Sequence, residues 1–120
     1  MIGWMRVIVQ GNSMSPTLRD GQRLFARRLR RDPRRGEVIV FRVVDEQLPH
    51  RIKRVVAVTG DPLPGWLVPA LPGVSHVPAG QVAVAGDNTT RSQDSRQLGL
   101  IDCRDILGTV WGASPRSISW

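Results

Sequence analysis

Lys53 is the only lysine in this 120-residue sequence, since the other sixteen of its 17 Lys and Arg residues are arginine. Arginine keeps its proton in proteins, whereas a lysine removed from water can lose its proton and act as a base. The neighbours Ile52, Val55 and Val56 are apolar and can provide such surroundings. Lowering the pKa of a lysine from ~10.4 to about 7 costs about 5 kcal/mol of differential solvation. A cost of that size favours a functional lysine over one retained by chance in an arginine-biased chain.

Ser13 is the candidate nucleophile that such a base would activate. It lies in the turn of VQGNSMSPTLRDG (9–21), directly after an apolar segment, and Pro16 prevents helix continuation from Ser15. A hydroxyl at a strand end beside free backbone N–H groups can be a nucleophile with its own oxyanion hole. Taken alone, a serine in such a turn is more often a turn residue. Of the two histidines, His50 stays possible as a base, although it faces the opposite side of a strand from Lys53.

A third polar segment, AGDNTTRSQDSRQLG (85–99), follows a strand candidate. Its short polar side chains can be solvent-exposed, or they can bond to one another and orient a neighbouring group. The residues concerned are Asp87, Asn88, Ser92, Asp94, Ser95 and Arg96.

The elements that must position these residues are short strands separated by Gly, Pro and Asp turns. No amphipathic helix longer than about two turns is indicated, and LPGWLVPALPGV (63–74) is predicted to be a loop with one short hairpin. Strands at roughly ten-residue spacing predict one all-β, mainly antiparallel domain over residues 1–120, a barrel or a sandwich. The predicted strands are residues 4–9, 22–28, 37–44, 51–59, 81–86 and 106–112.

The composition indicates anionic partners, because the formal net charge is +7. A nucleic acid or an acidic membrane surface would fit this charge. The basic run at 27–35 is more simply explained as a solvated turn. Ile2, Trp4 and Met5 could contact anionic lipid, but we favour their packing in a strand. Cys103 has no partner for an internal disulfide and no metal-ligand spacing with the histidines. We therefore expect no metal and no cofactor.

Four segments in order resemble the conserved boxes of the type I signal peptidases, a family of Ser–Lys dyad proteases. GNSMSPTL (11–18) resembles the nucleophile box, RRGEVIVF (34–41) the following strand box, RIKRVVAVTGD (51–61) the lysine box and GDNTTRSQDSRQLG (86–99) the last box. The resemblance implies a coiled β or SH3-like barrel, catalytic core only. It also implies a serine endopeptidase that cuts a precursor protein after small side chains.

The same resemblance implies roles for individual residues. Ser13 matches the nucleophile, whose backbone N–H helps to hold the oxyanion, and Lys53 matches the general base that Ser92 orients. Supporting roles fall on the ion-pairing positions and on the loop that holds the site. These residues are Asp94, Arg96 and Arg54 for the ion pairs, and Gly86, Asp87 and Asn88 for the loop.

Two departures from the family pattern refine these expectations. Gly11 stands where some relatives have a serine whose hydroxyl aids the oxyanion hole. Here we expect only backbone N–H groups in the Gly11 region to stabilise the oxyanion. Only twelve residues precede Ser13, so we expect no N-terminal membrane anchor and a cytoplasmic, at most membrane-peripheral, protein. A small anchorless form resembles the proteases that mature nickel superoxide dismutase, which makes that proform the leading substrate.

Other functions stay open at this point. Signal peptidase activity on secretory preproteins is the main alternative to the maturation of nickel superoxide dismutase. A basic β-barrel that binds nucleic acid would explain the charge but not the three polar segments, so no specific nucleic acid is expected. A self-cleaving repressor domain would share the dyad, but twelve residues before Ser13 leave no room for a DNA-binding module.

Overall fold

The computed structural model describes residues 3–90 and 92–112, and in them seven strands form one sheet. The sheet order is β1-β2-β7-β3-β4-β5-β6, and every neighbouring pair is antiparallel. The all-β, mainly antiparallel fold predicted from the sequence is therefore confirmed. The strands are β1 (Trp4–Ile8), β2 (Arg23–Arg27), β3 (Val38–Arg42), β4 (His50–Ala57), β5 (Gln81–Ala85), β6 (Ile101–Asp102) and β7 (Ile106–Val110).

All six predicted strands are present, and their ends differ from the prediction by at most two residues. The sequence did not predict β6, because two residues that pair only with Gln81 and Val82 leave no alternating pattern to detect. The hairpin predicted within 63–74 is wrong. That segment contains a 3₁₀ turn at Val68–Ala70, and the nearest bridge joins Pro62 to His76 on either side of it.

Helical structure is short throughout the described part of the chain. The α-helix α1 (Ser95–Leu98) has four residues, and a second 3₁₀ turn covers Cys103–Asp105. Within residues 3–90 and 92–112, no helix has the length and apolar character needed to cross a membrane.

The core lies on both faces of β3, the fourth strand of the seven. Val38 and Val40 belong to one buried apolar cluster, and Ile39 and Phe41 belong to another. Because successive side chains of a strand point to opposite faces, a strand buried on both faces needs a continuous apolar run. The run VIVF in the sequence meets this need and makes β3 a rigid support for its neighbour β4.

Strand register brings two of the predicted site segments together. In the pair β3–β4, Lys53 lies opposite Ile39, and in the pair β4–β5, Arg54 lies opposite Ala85. Since antiparallel neighbours run in opposite directions, the residue after Ala85, which is Gly86, comes beside Lys53. The last polar segment therefore begins next to the lysine.

Candidate active site

Ser13 and Lys53 line the same cleft, which has a volume of about 620 Å³. One wall is β1 with the turn that follows it, and the other is the first half of β4 with the loop before it. Ser13 is half-buried and Lys53 is buried, with 4% of its surface exposed. The two residues are 40 positions apart in the sequence, so the sheet is what brings them to one site.

The Lys53 amine has the environment that a base requires. The pKa of Lys53 is lowered to about 8, mainly by burial and in addition by the nearby Arg51 cation, while the carboxylate of Asp94 acts in the opposite direction. Its Nζ donates a hydrogen bond to Ser92 Oγ at 3.1 Å. The Ser92 hydroxyl in turn donates to the backbone carbonyl of Gln93 at 2.9 Å, which leaves its lone pairs facing the lysine. A lysine with this pKa is partly neutral near pH 8.

The turn that carries Ser13 is fixed through its backbone. The carbonyl of Ser13 accepts a hydrogen bond from the Asn88 backbone N–H at 2.9 Å, and the carbonyl of Asn12 accepts one from Asn88 Nδ2 at 3.0 Å. Among the described residues, the Ser13 hydroxyl and backbone N–H have no hydrogen-bond partner. Both groups are thus available to a bound peptide, and the hydroxyl makes no hydrogen bond to Lys53.

Gly11 contributes its conformation to this turn. Its φ is +84°, a value that favours glycine, and its N–H donates to Asp20 Oδ1 at 2.8 Å. Because that N–H already has an acceptor, the donor of Gly11 itself is occupied in this structure. Of the backbone N–H groups of Gly11 and Ser13, only that of Ser13 has no acceptor among the described residues and is available to an oxyanion.

Gly86 is in close contact with both the turn that carries Ser13 and the loop that carries Ser92. A Cβ on Gly86 would lie 1.8 Å from Ser92 Oγ and 2.5 Å from the carbonyl oxygen of Ser13. Real Cβ atoms do not come so close to other heavy atoms, so only glycine fits here without moving one of them. Absence of a side chain at this position lets the Ser13 turn and the Ser92 loop approach the same end of β5.

A buried ion pair holds the loop after β5 against β4. Arg54 donates two hydrogen bonds to the carboxylate of Asp87, each at 2.8 Å, and a third to the carbonyl of Gly36 at 2.6 Å. Both side chains of the pair are fully buried. The hydroxyl of Thr17 also donates to Asp87, which joins this pair to the segment after Ser13. Arg54 and Asp87 therefore connect the three predicted segments.

Asp94 and Arg96 pair with each other at the start of α1. Asp94 caps the helix by accepting from the backbone N–H of Arg96 at 2.7 Å, and its side chain also accepts from the Arg96 guanidinium at 2.8 Å. The hydroxyl of Ser95, which is fully buried, accepts from the backbone N–H of Val84 at 2.8 Å. The short helix is thereby fixed to β5, directly after the segment that contains Ser92.

Several contributors have no signal in the sequence. Thr17, Arg51 and Gln93 are single polar residues among many, and their contacts depend on the register of strands far apart in the chain. His50 lines the cleft, whereas His76 bonds to Ser75 outside it. Within the part of the chain that the structure describes, no group of three or more His, Cys, Asp or Glu residues could hold a metal ion.

Comparison with known proteins identifies the family. Residues 1–63 and 66–112 match the family described as signal peptidase, peptidase S26. The chain belongs to this family. It is therefore a serine endopeptidase of the signal peptidase type, as the four ordered segments predicted.

Individual relatives agree with this assignment. The chain is 32% identical over 134 residues to signal peptidase I of Bacillus licheniformis, covering 85% of this chain and 72% of the relative. It is 38% identical over 113 residues to the mitochondrial ATP-independent inner membrane protease subunit 1b of Arabidopsis thaliana, covering 88% and 67%. It is 31% identical over 109 residues to the human mitochondrial inner membrane protease subunit 1, covering 88% and 66%.

Proposed function

We propose that the chain is a single catalytic domain in which Ser13 and Lys53 cleave a peptide bond of a precursor protein. The observation that carries this proposal is that Lys53 and Ser13 line the same cleft. The Lys53 amine is buried with its pKa lowered to about 8, and the Ser13 hydroxyl has no hydrogen-bond partner among the described residues. A Lys–Ser pair can replace the Ser–His pair because a desolvated neutral amine accepts a proton as an imidazole does.

In the first half of the reaction, the neutral Lys53 amine takes the Ser13 hydroxyl proton as Oγ attacks the carbonyl carbon of the substrate. The resulting oxyanion accepts a hydrogen bond from the Ser13 backbone N–H. The Lys53 ammonium then gives its proton to the leaving nitrogen, the C–N bond breaks, and an acyl ester on Ser13 remains. The lysine is again neutral.

In the second half, Lys53 takes a proton from a water molecule that attacks the ester carbon. The C–O bond to Ser13 breaks, and the lysine returns the proton to Ser13 Oγ. Ser92 acts by aiming the amine, because its hydroxyl accepts from Nζ at 3.1 Å. Gly86, Asp87, Asn88 and Arg54 act by holding the two turns in contact, and the Asp94–Arg96 pair fixes the loop from its other end.

The substrate fits the cleft as an extended segment. β1 lies at one edge of the sheet and forms one wall of the cleft, and an edge strand can pair with an added peptide strand. We propose the proform of nickel superoxide dismutase as the physiological precursor. Its support is the short segment between Lys53 and Gly86, which leaves little space for a second substrate-binding domain. Secretory preproteins are the alternative, and the name of the B. licheniformis relative favours them.

A comparison of two precursors tests the activity and separates the substrates. The purified protein is incubated at pH 8.5 with a nickel superoxide dismutase proform and, separately, with a secretory preprotein, and the products are identified by mass spectrometry. We expect a single cut that releases the propeptide of the first precursor and no cut in the second. The Ser13→Ala variant serves as the control for contaminating proteases.

Either outcome is informative. Cleavage of the preprotein alone would replace the maturation function with a signal peptidase function and leave the dyad intact. Cleavage that persists in Ser13→Ala would contradict the proposed nucleophile itself.

Membrane contact and location stay predictions. Of the three residues for which strand packing was predicted over lipid contact, Met5 packs against the core, Trp4 is 43% exposed, and Ile2 lies outside the described residues. Trp4 lies beside Arg27, whose guanidinium is 6.0 Å from the ring centre. An exposed aromatic with a neighbouring cation suits weak contact with an anionic surface. A cytoplasmic, at most membrane-peripheral, location stays the prediction, and the names of two relatives that place them at an inner membrane favour contact with a membrane.

A further inference from the structure

Arg51 lies two residues before Lys53 on β4, and therefore on the same face of the strand. Its guanidinium makes three polar contacts. It donates to Asp45 Oδ2 at 3.0 Å, to the carbonyl of Leu48 at 3.2 Å and to Gln93 Oε1 at 2.8 Å. Its side chain is 16% exposed, whereas Asp45 is 38% exposed and Gln93 is exposed, so the arginine is the buried partner in these contacts. The loop before β4 thus holds one side of the guanidinium while the other side holds Gln93.

Gln93 links this arginine to the group that aims the lysine. Arg51 binds the Gln93 side chain, and the backbone carbonyl of Gln93 accepts the hydroxyl hydrogen of Ser92. Ser92 Oγ in turn accepts the hydrogen bond from Lys53 Nζ. A continuous series of contacts therefore runs from Asp45 through Arg51, Gln93 and Ser92 to Lys53.

Arg51 acts on Lys53 through its positive charge as well as through these hydrogen bonds. A cation on the same face favours the neutral form of the amine, and it lowers the pKa of Lys53 in the same direction as burial. The opposing charge is the carboxylate of Asp94, in the loop before α1. From β3 the lysine faces the apolar Ile39, and the Arg54–Asp87 pair lies on the other face of β4.

We propose that Arg51 is a positioning residue for Lys53, which holds Gln93 and so keeps the Ser92 hydroxyl aimed at the lysine amine. This inference rests on the proposed role of Lys53 as the base. Two effects follow from one side chain: its hydrogen bonds set the orientation of Ser92, and its positive charge keeps the amine neutral at a lower pH.

Two substitutions separate these effects. Arg51→Met removes the hydrogen bonds and the charge, whereas Arg51→Lys keeps the charge but loses the fork that binds Asp45 and Gln93 together. The measurement is kcat/KM from pH 6 to 10 on a peptide that the wild-type protein cuts. We expect Arg51→Met to lower the high-pH plateau about tenfold and to move the basic limb to higher pH. Arg51→Lys should lower the plateau and leave the limb near its wild-type position.

Two further variants make the test specific. Gln93→Ala removes the contact without touching the charge, so it should lower the plateau and leave the limb unmoved. Arg104→Met is the matched control, because Arg104 forms an exposed ion pair with Asp102, its side chain is 90% exposed, and neither residue lines the cleft. It should change neither quantity.

An unchanged plateau and limb in Arg51→Met would overturn the inference. Should that variant fail to fold, as judged by circular dichroism and thermal unfolding, an unchanged plateau in both Arg51→Lys and Gln93→Ala would overturn it instead. Lys53→Arg is measured beside them. Full activity in Lys53→Arg would defeat the proposed function, whereas an inactive Lys53→Arg with a normal Arg51→Met would defeat only the role of Arg51.

Discussion

At the scale of the residue, the low pKa that suits Lys53 to its proposed role as a base has a cost in stability. Its pKa is about 8 in the folded protein, well below the ordinary value of 10.5. Between these two pH values the unfolded chain binds more protons than the folded one, so this group makes the folded state more stable as pH rises through that range. Below about pH 8 the folded protein must hold a buried cation, which opposes folding.

Replacement of the lysine by an apolar residue of similar length should therefore stabilise the fold. We expect Lys53→Met to raise the free energy of unfolding by about 1–3 kcal/mol at pH 7 and to abolish cleavage. The difference from the wild type should shrink as pH rises toward 10, where the native lysine is already neutral. Urea denaturation at several pH values measures it, and a Lys53→Met variant less stable than the wild type at pH 7 would contradict the account.

At the scale of the element, the end of β5 determines how closely the two reactive turns approach. Gly86 follows β5 directly, and the Ser13 carbonyl and the Ser92 side chain occupy the space where its side chain would be. The geometry of the site is thus set by a position that has no reactive group of its own.

Gly86→Ala should consequently remove most of the activity. One added methyl group must displace Ser92 or the Ser13 turn, and displacements near 1 Å can lower the rate about 10²-fold. Gly65→Ala is the matched control, because a Cβ there meets nothing within 4 Å and no positive φ is involved. The two variants are compared by kcat/KM on the same peptide. Equal activity in both would show that the close approach at Gly86 has no role.

The Arg54–Asp87 pair acts between elements, since it joins β4 to the loop after β5 and to the segment that follows Ser13. Removing one member leaves the other charge buried, and we expect Arg54→Met or Asp87→Asn to lower the free energy of unfolding by about 3–5 kcal/mol. Disruption of the exposed pair by Arg104→Met should cost no more than about 1 kcal/mol. Thermal or urea unfolding of the variants checks this, and similar small losses at both pairs would contradict a structural role for Arg54.

How well the sequence predicts a strand depends on the length of the apolar run that forms it. A continuous apolar run such as VIVF in β3 predicts its strand well, because burial on both faces needs such a run. Ser13 and Lys53 were predicted to act together, and the structure places both in one cleft, while their catalytic roles stay predictions. The strand β6 and the contact of Arg51 with Gln93 could not be predicted, because both depend on how segments about twenty or more residues apart come together.

At the scale of the whole molecule, the sheet assembles one site from three distant segments. The turn after β1, the strand β4 and the loop after β5 meet because β3 supports β4 and the strand register places Gly86 beside Lys53. The basic run at 27–35 takes no part in this. It is a mostly exposed loop in which Arg31 pairs with Glu37, in agreement with the solvated turn predicted from the sequence.

The central claim is that Lys53, as a neutral amine, activates Ser13. The most direct measurement is kcat/KM from pH 6 to 10 for the wild type, Ser13→Ala and Lys53→Arg on one peptide substrate. The account predicts a wild-type rate that rises through an apparent pKa near 8, because the base must lose its proton before it acts. The kcat/KM of both variants should fall about 10³-fold or more. Ser13→Ala removes the nucleophile, and Lys53→Arg keeps the charge but cannot accept the proton. A flat wild-type profile, or an active Lys53→Arg variant, would contradict it.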